Sequence, residues 1–407
     1  MRKGFDQAAG DKPAALCMQL SFFQQPVNNS LIYELFEAYF ACRKNKRNTI
    51  NALRFETDFE AELFKLRDEI EAGTYQPKRC IAFIVNKPVK REIFAADFRD
   101  RVVHHYVIGK VNTLFEALFI PNSFACRKNK GTLYGIQKTA AAIRLLSNNY
   151  SEDLYVMKLD IAGFFMNINR EILFEKLASF LHANYYFNDR LQLIELFRKI
   201  IFQNPAASCI IKGHASDWDG LPKNKSLFYS PSDCGLPIGN LTSQVLANFY
   251  LHGLDEFILS LLPDGFYGRY VDDLVMLHND KQRLMAIKTQ IENYVTGQLK
   301  LKIHPNKIYI QHYSKGLPYL GTIIKPGRIY CSRRTKGNFF RVVREYLALG
   351  NCASVHETEC FAASVNSYLG HLIHFNTYRL RIRNLNQIES SQVDKMAIVK
   401  GYLRLLN

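Results

Sequence analysis

Hydrophobic positions along this chain follow two rhythms, one repeating near 3.6 residues and one confined to short strand-like runs, and together they predict an α+β fold. Leu31 to Phe40 has helical spacing and is followed by a basic run, Arg43 to Arg47. Phe59 to Ile70 (FEAELFKLRDEI) repeats at 3.6 and meets a helix stop at Gly73. Ile81 to Val85 reads as a strand, with KPVKREI after it. Arg101 to Phe119 is helical again, with Asp100 placed as its cap. Leu154 to Leu159 (LYVMKL) reads as a strand that runs into Asp160 and the aromatic pair Phe164 and Phe165. After the turn GLPIG, Leu241 to Leu251 (LTSQVLANFYL) reads as a helix. Phe266 to Leu277 (FYGRYVDDLVML) has apolar arms on both sides of Asp272 and Asp273, the pattern of a hairpin with carboxylates at its tip. From Thr335 onward the pattern is mostly helical, with breaks expected near Gly350 and Gly370. The string FACRKNK occurs at 40–46 and at 124–130, but the flanks share nothing, so it reads as coincidence rather than a repeat.

Composition narrows the class. A length of 407 residues suggests two or three packed units. With 48% hydrophobic and 22% charged residues, enough apolar surface is present to exclude intrinsic disorder. No window approaches the roughly 20 uncharged apolar residues of a membrane span. The amino terminus, MRKGFDQAAGDKP, lacks the apolar core of a secretory signal. The nine cysteines contain no CxxC pair, which argues against a structural zinc site and for a reducing, cytoplasmic setting.

Charge points to a partner. The net charge of +16 favours a polyanion, because neutralising phosphates releases counterions. No basic amphipathic helix with a strong apolar face supports a membrane surface instead. Residues 331–407 hold eleven Lys and Arg against five Asp and Glu.

Asp160 ends one apolar strand, and Asp272 and Asp273 sit inside another. A carboxylate there is expensive to bury unless it is paired, hydrogen-bonded or metal-bound, and adjacent like charges make it worse. A divalent cation resolves the conflict, and oxygen ligands held together with phosphates favour Mg²⁺ over softer metals. Two ions roughly 3.5–4 Å apart would activate an attacking hydroxyl and stabilise the leaving oxygen. The plain alternative is a solvated Asp-Asp turn.

Tyr270-Val271-Asp272-Asp273, set between hydrophobic strands, resembles the YxDD hairpin of reverse transcriptases. KLDIAGFF (158–165) is similar to the first metal-binding strand of their palm, GLPIGNLTSQ (235–244) to the next motif, LKIHPNK (301–307) to the lysine-bearing segment and KGLPYLGTII (315–324) to the primer grip. Upstream, KPVKREIFAADFRDRVVHH (87–105) and SFACRKNKGT (123–132) resemble the finger motifs of prokaryotic retroelement enzymes. The resemblance implies a right-hand polymerase with fingers, an antiparallel RRM-like palm sheet and a helical thumb. The corresponding divisions are 1–80 for a helical region leading into the fingers, 81–327 for interleaved fingers and palm, and 328–407 for the thumb.

Carried onto this chain, the resemblance makes Asp160 and Asp272 ligands of two Mg²⁺ ions (Mn²⁺ could substitute), supported by Asp273 and the Ile161 carbonyl. Asp273 as an exposed turn residue is the alternative. Phe165 is the expected gate against a ribose 2′-hydroxyl, with Phe164 its neighbouring candidate and one of the pair in the core. Lys87 and Arg91 would grip the incoming triphosphate, unless they belong to a solvated basic hairpin. Arg127 and Lys130 would follow the template backbone, and Tyr270 would lie against nucleic acid. Lys307 would protonate departing pyrophosphate or form a salt bridge.

The subfamily rests on Ile238-Gly239-Asn240-Leu241-Thr242-Ser243-Gln244. Most reverse transcriptases carry Gln before this Gly and Pro after the Ser, whereas Ile238 and Gln244 stand here, as in diversity-generating retroelements. Ile238, Gly239 and Gln244 are therefore expected at the nucleotide site. That resemblance implies cDNA mutagenised at adenines, a template-repeat RNA, a primer, deoxynucleotides and a small basic accessory protein. A retron-like or phage-defence enzyme that lacks adenine-specific mutagenesis is the alternative, and a non-catalytic nucleic-acid-binding module a third. The 83 residues after the grip region are read as room for a thumb without an endonuclease or RNase H domain.

Overall fold

Strand β1 (Ile81–Val85) turns back on β2 (Arg91–Ala95) in antiparallel register from Ile81↔Ala95 to Val85↔Arg91. The computed structural model describes residues 31–44, 49–86, 89–350, 353–390, 396–399 and 401–405. Lys87, most of the basic run ending at Arg47, and the amino-terminal segment lie outside the described residues.

The YVMKLD run forms β3 (Tyr155–Asp160), whereas β4 (Ile210–Ile211) joins β1 in parallel in a separate sheet. Two further strands, β5 (Phe266–Tyr270) and β6 (Asp273–His278), make the expected hairpin, and β7 (Tyr309–His312) completes a four-stranded antiparallel sheet in the order β5-β6-β3-β7. β3 is paired on both edges, so its apolar residues divide between two cores by the period of 2. Met157 and Leu159 on β3, with Leu274 and Met276 on β6, enter the main core against the helices. Val156, Val275 and Leu277 face a smaller core with Ile136 and Ile143 of helix Thr132–Leu146. Lys158, Asp160 and Asp273 share the parity of this second face, because Lys158 pairs with Val275 and Asp160 with Asp273.

Helix Phe98–Leu118 is the main structural spine, burying Val102, Val103, Tyr106, Val107 and Val111. Asp100 is not its cap. Asp97 is, accepting a hydrogen bond from the Arg99 amide, because burial of Phe98 starts the helix earlier than the expected Arg101. Asp100 lies inside the first turn, accepting from the Tyr75 hydroxyl at 3.0 Å and the Lys78 amide at 2.7 Å. Burial raises its carboxyl to about 6.

Strands β8 (Leu317–Tyr319), β9 (Thr322–Lys325) and β10 (Arg328–Cys331) form a small antiparallel sheet, so the division at 327/328 falls inside the β9–β10 hairpin. Beyond it, helices Arg333–Leu347, Val355–Leu372 and Tyr378–Ser390 enclose a separate core of Phe339, Val343, Tyr346, Phe361, Val365 and Leu369. Gly370 does not interrupt its helix, which runs on to Leu372 behind a Ser354/Glu357 capping box. The tail is also not wholly helical, since β11 (Met396–Val399) and β12 (Tyr402–Leu405) pair as a hairpin. The two copies of FACRKNK differ in structure: Phe40–Arg43 ends a helix, whereas Phe124–Lys130 is a loop. Among the described residues no helix is long and apolar enough to cross a membrane.

Candidate active site

The β5–β6 hairpin closes with a two-residue loop, Val271 and Asp272, between the paired Tyr270 and Asp273. The tip is thus one residue earlier than the Asp-Asp pair alone suggests, and Asp273 already belongs to β6. Val271 takes the left-handed conformation at φ +56°, which β-branched residues rarely adopt. Asp160 ends the adjacent β3 opposite Asp273, and the Ile161 amide donates to the Asp272 carbonyl at 3.3 Å. Sheet register therefore brings three carboxylates to one strand end.

Two lysines balance them unevenly. The Lys307 ammonium donates to both Asp160 oxygens, at 2.9 and 3.0 Å, from a short helical turn held by a bond from the His304 amide to the Asp160 carbonyl. Lys158 lies 3.2 Å from Asp273 Oδ2 and also donates to the Pro318 carbonyl at 3.1 Å. Asp272 has no such lysine within salt-bridge distance among the described residues. Burial first, and repulsion from Asp160 second, raise its carboxyl to about 6. Burial also raises Asp273 despite Lys158, and its Oδ1 is buried without a hydrogen-bond partner.

Among the described residues, no three Asp, Glu, His or Cys side chains already stand at metal-ligating spacing. The donor set nonetheless fits a hard divalent cation: the side-chain donors are carboxylate oxygens, one is an orphan, and the least compensated carboxylate is the one at the turn.

The neighbouring aromatics separate. Phe164 is 2% exposed and lies in the main core, while Phe165 is half-buried, with the rings 5.4 Å apart. Gly163 just before them has φ +54°, and a Cβ there would meet Asn167 Nδ2 at 2.7 Å and the Asn224 carbonyl at 2.9 Å, so glycine is required. Phe165, Ile238 and Trp218 each pack against one small cluster that includes Phe94, Met166 and Leu227. Ile238 is placed there by its own backbone, since its carbonyl accepts from the Phe94 amide at 2.9 Å and Asn240 Oδ1 accepts from the Ala96 amide at 3.0 Å. Gly239, at φ +123°, runs close past Ile93.

Buried Glu92 fastens the other side of this wall. It accepts from Trp218 Nε1 at 2.9 Å, the Ser226 hydroxyl at 2.7 Å and the Leu227 amide at 2.6 Å. Arg91, exposed at the start of β2, is near enough for its charge to act on the Tyr270 hydroxyl. Gln244 is exposed, its Oε1 3.3 Å from Cys126 Sγ.

Arg127 does not reach outward. Its guanidinium donates to Glu116 Oε2, to the Ile120 and Ser123 carbonyls and to the Glu116 carbonyl, closing the end of helix Phe98–Leu118. With those donors occupied and the side chain 5% exposed, it is a helix-end clasp rather than a template contact. Lys130 is similarly engaged, with Nζ donating to the Pro121 carbonyl at 2.6 Å and lying 4.8 Å from the Tyr134 ring centroid.

The match to the family model "Reverse transcriptase (RNA-dependent DNA polymerase)" runs over residues 86–324, more than half the chain, and contains all of these carboxylates. The chain belongs to the reverse transcriptase family. It is 20% identical over 307 residues to Protein YkfC of Escherichia coli strain K12, covering 67% of this chain and 73% of that protein. It is 23% identical over 275 residues to the Group II intron-encoded protein LtrA of Lactococcus lactis subsp. cremoris, covering 64% and 38%. It is 25% identical over 197 residues to the Retron Ec73 reverse transcriptase of Escherichia coli, covering 47% and 50%. The chain thus spans half or less of the length of the last two.

Within this reverse transcriptase frame, Lys158 and Glu92 are structural participants that the sequence reading misses. Lys158 has a signal available, since a period of 2 along KLD places it on the same side as Asp160. Glu92 has none, because its partners lie 126 to 135 residues away.

Proposed function

We propose that this chain is an RNA-directed DNA polymerase of right-hand architecture whose chemistry is centred on Asp160, Asp272 and Asp273. The observation that carries the reading is the meeting of these carboxylates at one strand end, with the two lysines paired to Asp160 and Asp273 rather than to Asp272. Mg²⁺ held there would supply Lewis acidity and a site for the attacking hydroxyl and the leaving phosphate oxygen. Around it, Phe165 limits space at the sugar, Arg91 offers a charge-assisted contact to phosphate, and Lys307 supplies an ammonium beside the reacting centre. The basic carboxy-terminal helices support duplex binding. Purified chain, an RNA template with a DNA primer, Mg²⁺ and deoxynucleotides should give RNA-dependent extension that chelation abolishes. Absence of extension on several primed templates, with the template bound, would refute the reading.

Asp273 and Asp272 have different roles in this proposal. Lys158 already engages Asp273, so Asp273→Asn should lower the single-turnover extension rate about tenfold, far less than the same change at Asp272. Equal losses at the two positions would remove the distinction.

The finer reading is a diversity-generating reverse transcriptase that copies a template-repeat RNA into adenine-mutagenised cDNA, working with a small basic accessory protein. Its support is Ile238, an apolar side chain packed against the same cluster as Phe165, where a Gln could hydrogen-bond to the nascent pair. Loss of such a bond is worth roughly 1–3 kcal/mol of discrimination. Ile238→Gln should therefore reduce errors opposite template adenine about tenfold in sequenced cDNA while extension continues. Equal error spectra would sink this reading. Similarity to the Retron Ec73 enzyme keeps a faithful, retron-like or phage-defence reading as the alternative, and low adenine errors in the unaltered chain would favour it.

A further inference from the structure

Arg269 is the largest fully buried side chain among the described residues, two residues before the strained Val271. Its fork grips Asp255 bidentately, with Nε 2.7 Å from Oδ1 and Nη2 2.6 Å from Oδ2. Nη1 donates to Asn248 Oδ1 at 3.1 Å and to the Val271 carbonyl at 3.0 Å, and Nη2 also reaches Ser123 Oγ and the Asn248 carbonyl, each at 3.4 Å. All its N–H groups are thereby engaged. The backbone repeats the tie, since the Arg269 amide donates to the Asn122 carbonyl and the Phe124 amide donates to the Arg269 carbonyl, both at 2.9 Å. Asn248 Nδ2 donates to the Ala125 carbonyl at 2.8 Å, and the Tyr267 hydroxyl donates to Asp255 Oδ1 at 2.7 Å.

A buried ion pair is in itself weak support for stability, since removing two charges from water offsets most of their attraction. This pair has a more specific consequence, because one of its hydrogen bonds ends on the carbonyl of the residue whose left-handed turn presents Asp272. Without that bond, nothing on the Val271 side chain favours the turn, since a branched Cβ opposes it. We propose that Arg269 is the positioning residue of the catalytic hairpin. It holds the Val271 carbonyl, keeps the Val271–Asp272 turn in its active shape, and fixes the 122–125 segment to the same point. This inference rests on the polymerase reading above, and it assigns to Arg269 no contact with substrate.

The test measures the effect of Arg269→Lys twice, in the otherwise unaltered chain and combined with Val271→Gly. Lysine keeps a charge opposite Asp255 but cannot reproduce the planar fork. Glycine adopts the left-handed turn unaided, so the turn no longer needs to be held. Two readouts are taken: single-turnover primer extension, and Mn²⁺ binding followed by electron paramagnetic resonance. Arg269→Lys should lower the extension rate constant about twentyfold and weaken Mn²⁺ binding about fivefold, with primer–template affinity changed less than about threefold. With Val271→Gly present, both losses should shrink to about a quarter or less of their size. Equal losses in the two backgrounds, or a loss confined to primer–template affinity, would overturn the inference. If the unaltered chain binds Mn²⁺ yet extends no primer, the polymerase reading fails and the Mn²⁺ comparison alone decides the role of Arg269. Should Arg269→Lys not fold, Asn248→Ala replaces it, because it removes one acceptor of Nη1 and leaves the Arg269–Asp255 pair intact. The same relief by Val271→Gly is then expected, and its absence overturns the inference.

Discussion

Asp272→Asn should reduce RNA-templated extension by about a thousandfold or more while RNA binding and cooperative melting persist. The change is nearly isosteric, and the side chain sits in a two-residue turn, so no packing is lost. What is lost is the carboxylate with no lysine partner, the one whose charge burial and Asp160 most oppose. That opposition makes a second, opposite effect expected. The folded-state carboxyl lies above its unfolded value, so at pH 8 the charged form burdens the folded state more than the unfolded one. Removing the charge should therefore leave the chelated protein as stable as before or more stable, by about 1–2 kcal/mol. Activity falling while stability holds or rises is the signature of a residue kept for chemistry. Primer extension and thermal melting in the presence of a chelator measure the two quantities. A substitution that lowered both together would point instead to a structural role.

The second large effect concerns the sugar. Phe165→Ala should raise ribonucleotide incorporation relative to deoxynucleotide by about 10–100-fold, because opening space beside the ribose removes the clash with its 2′-hydroxyl. Phe164→Ala is the contrasting change. Its ring is enclosed by the main core, so truncation should cost about 3–5 kcal/mol of stability and leave sugar selection in the surviving folded fraction unaltered. Competition between matched ribo- and deoxynucleotides on one primed template reads the first, and chemical denaturation reads the second. Reversed outcomes would exchange the roles of the two rings.

How much of this is legible in the sequence depends on the range of the interactions. The β3 strand and the β5–β6 hairpin are legible because apolar alternation is local, and acidic residues that interrupt it need a reason. The preference for Phe165 over Phe164 comes from the resemblance alone, because the local pattern does not say which ring meets the core of distant helices. Arg127 misleads for a related reason. In FACRKNK it looks like one of several surface cations, and only the folded turn after Ile120 shows its guanidinium closing a helix end. Asp100 misleads by three residues, because the burial of Phe98 outweighs the propensity signal that places the cap. Gly370 shows the same override, as a glycine inside a well-packed helix is tolerated at about 1 kcal/mol. The period of 2 along KLD puts Lys158 on the side of Asp160, but its pairing with Asp273 needs the sheet register. The grip of Arg269 on Asn248 and Asp255 needs helices Leu241–Tyr250 and His252–Leu261 folded against the hairpin, which no linear pattern contains.

The wall held by Glu92 has an optical consequence. The chain contains one tryptophan, and that indole donates to Glu92 and packs against the same cluster as Phe165 and Ile238. Light absorbed at the red edge of the protein's ultraviolet band is therefore absorbed by a single side chain beside the proposed nucleotide site. The emission of the whole unlabelled polymerase then comes from one known position, so a change in its colour or lifetime when a nucleotide arrives can be assigned to that wall without a dye or a deconvolution.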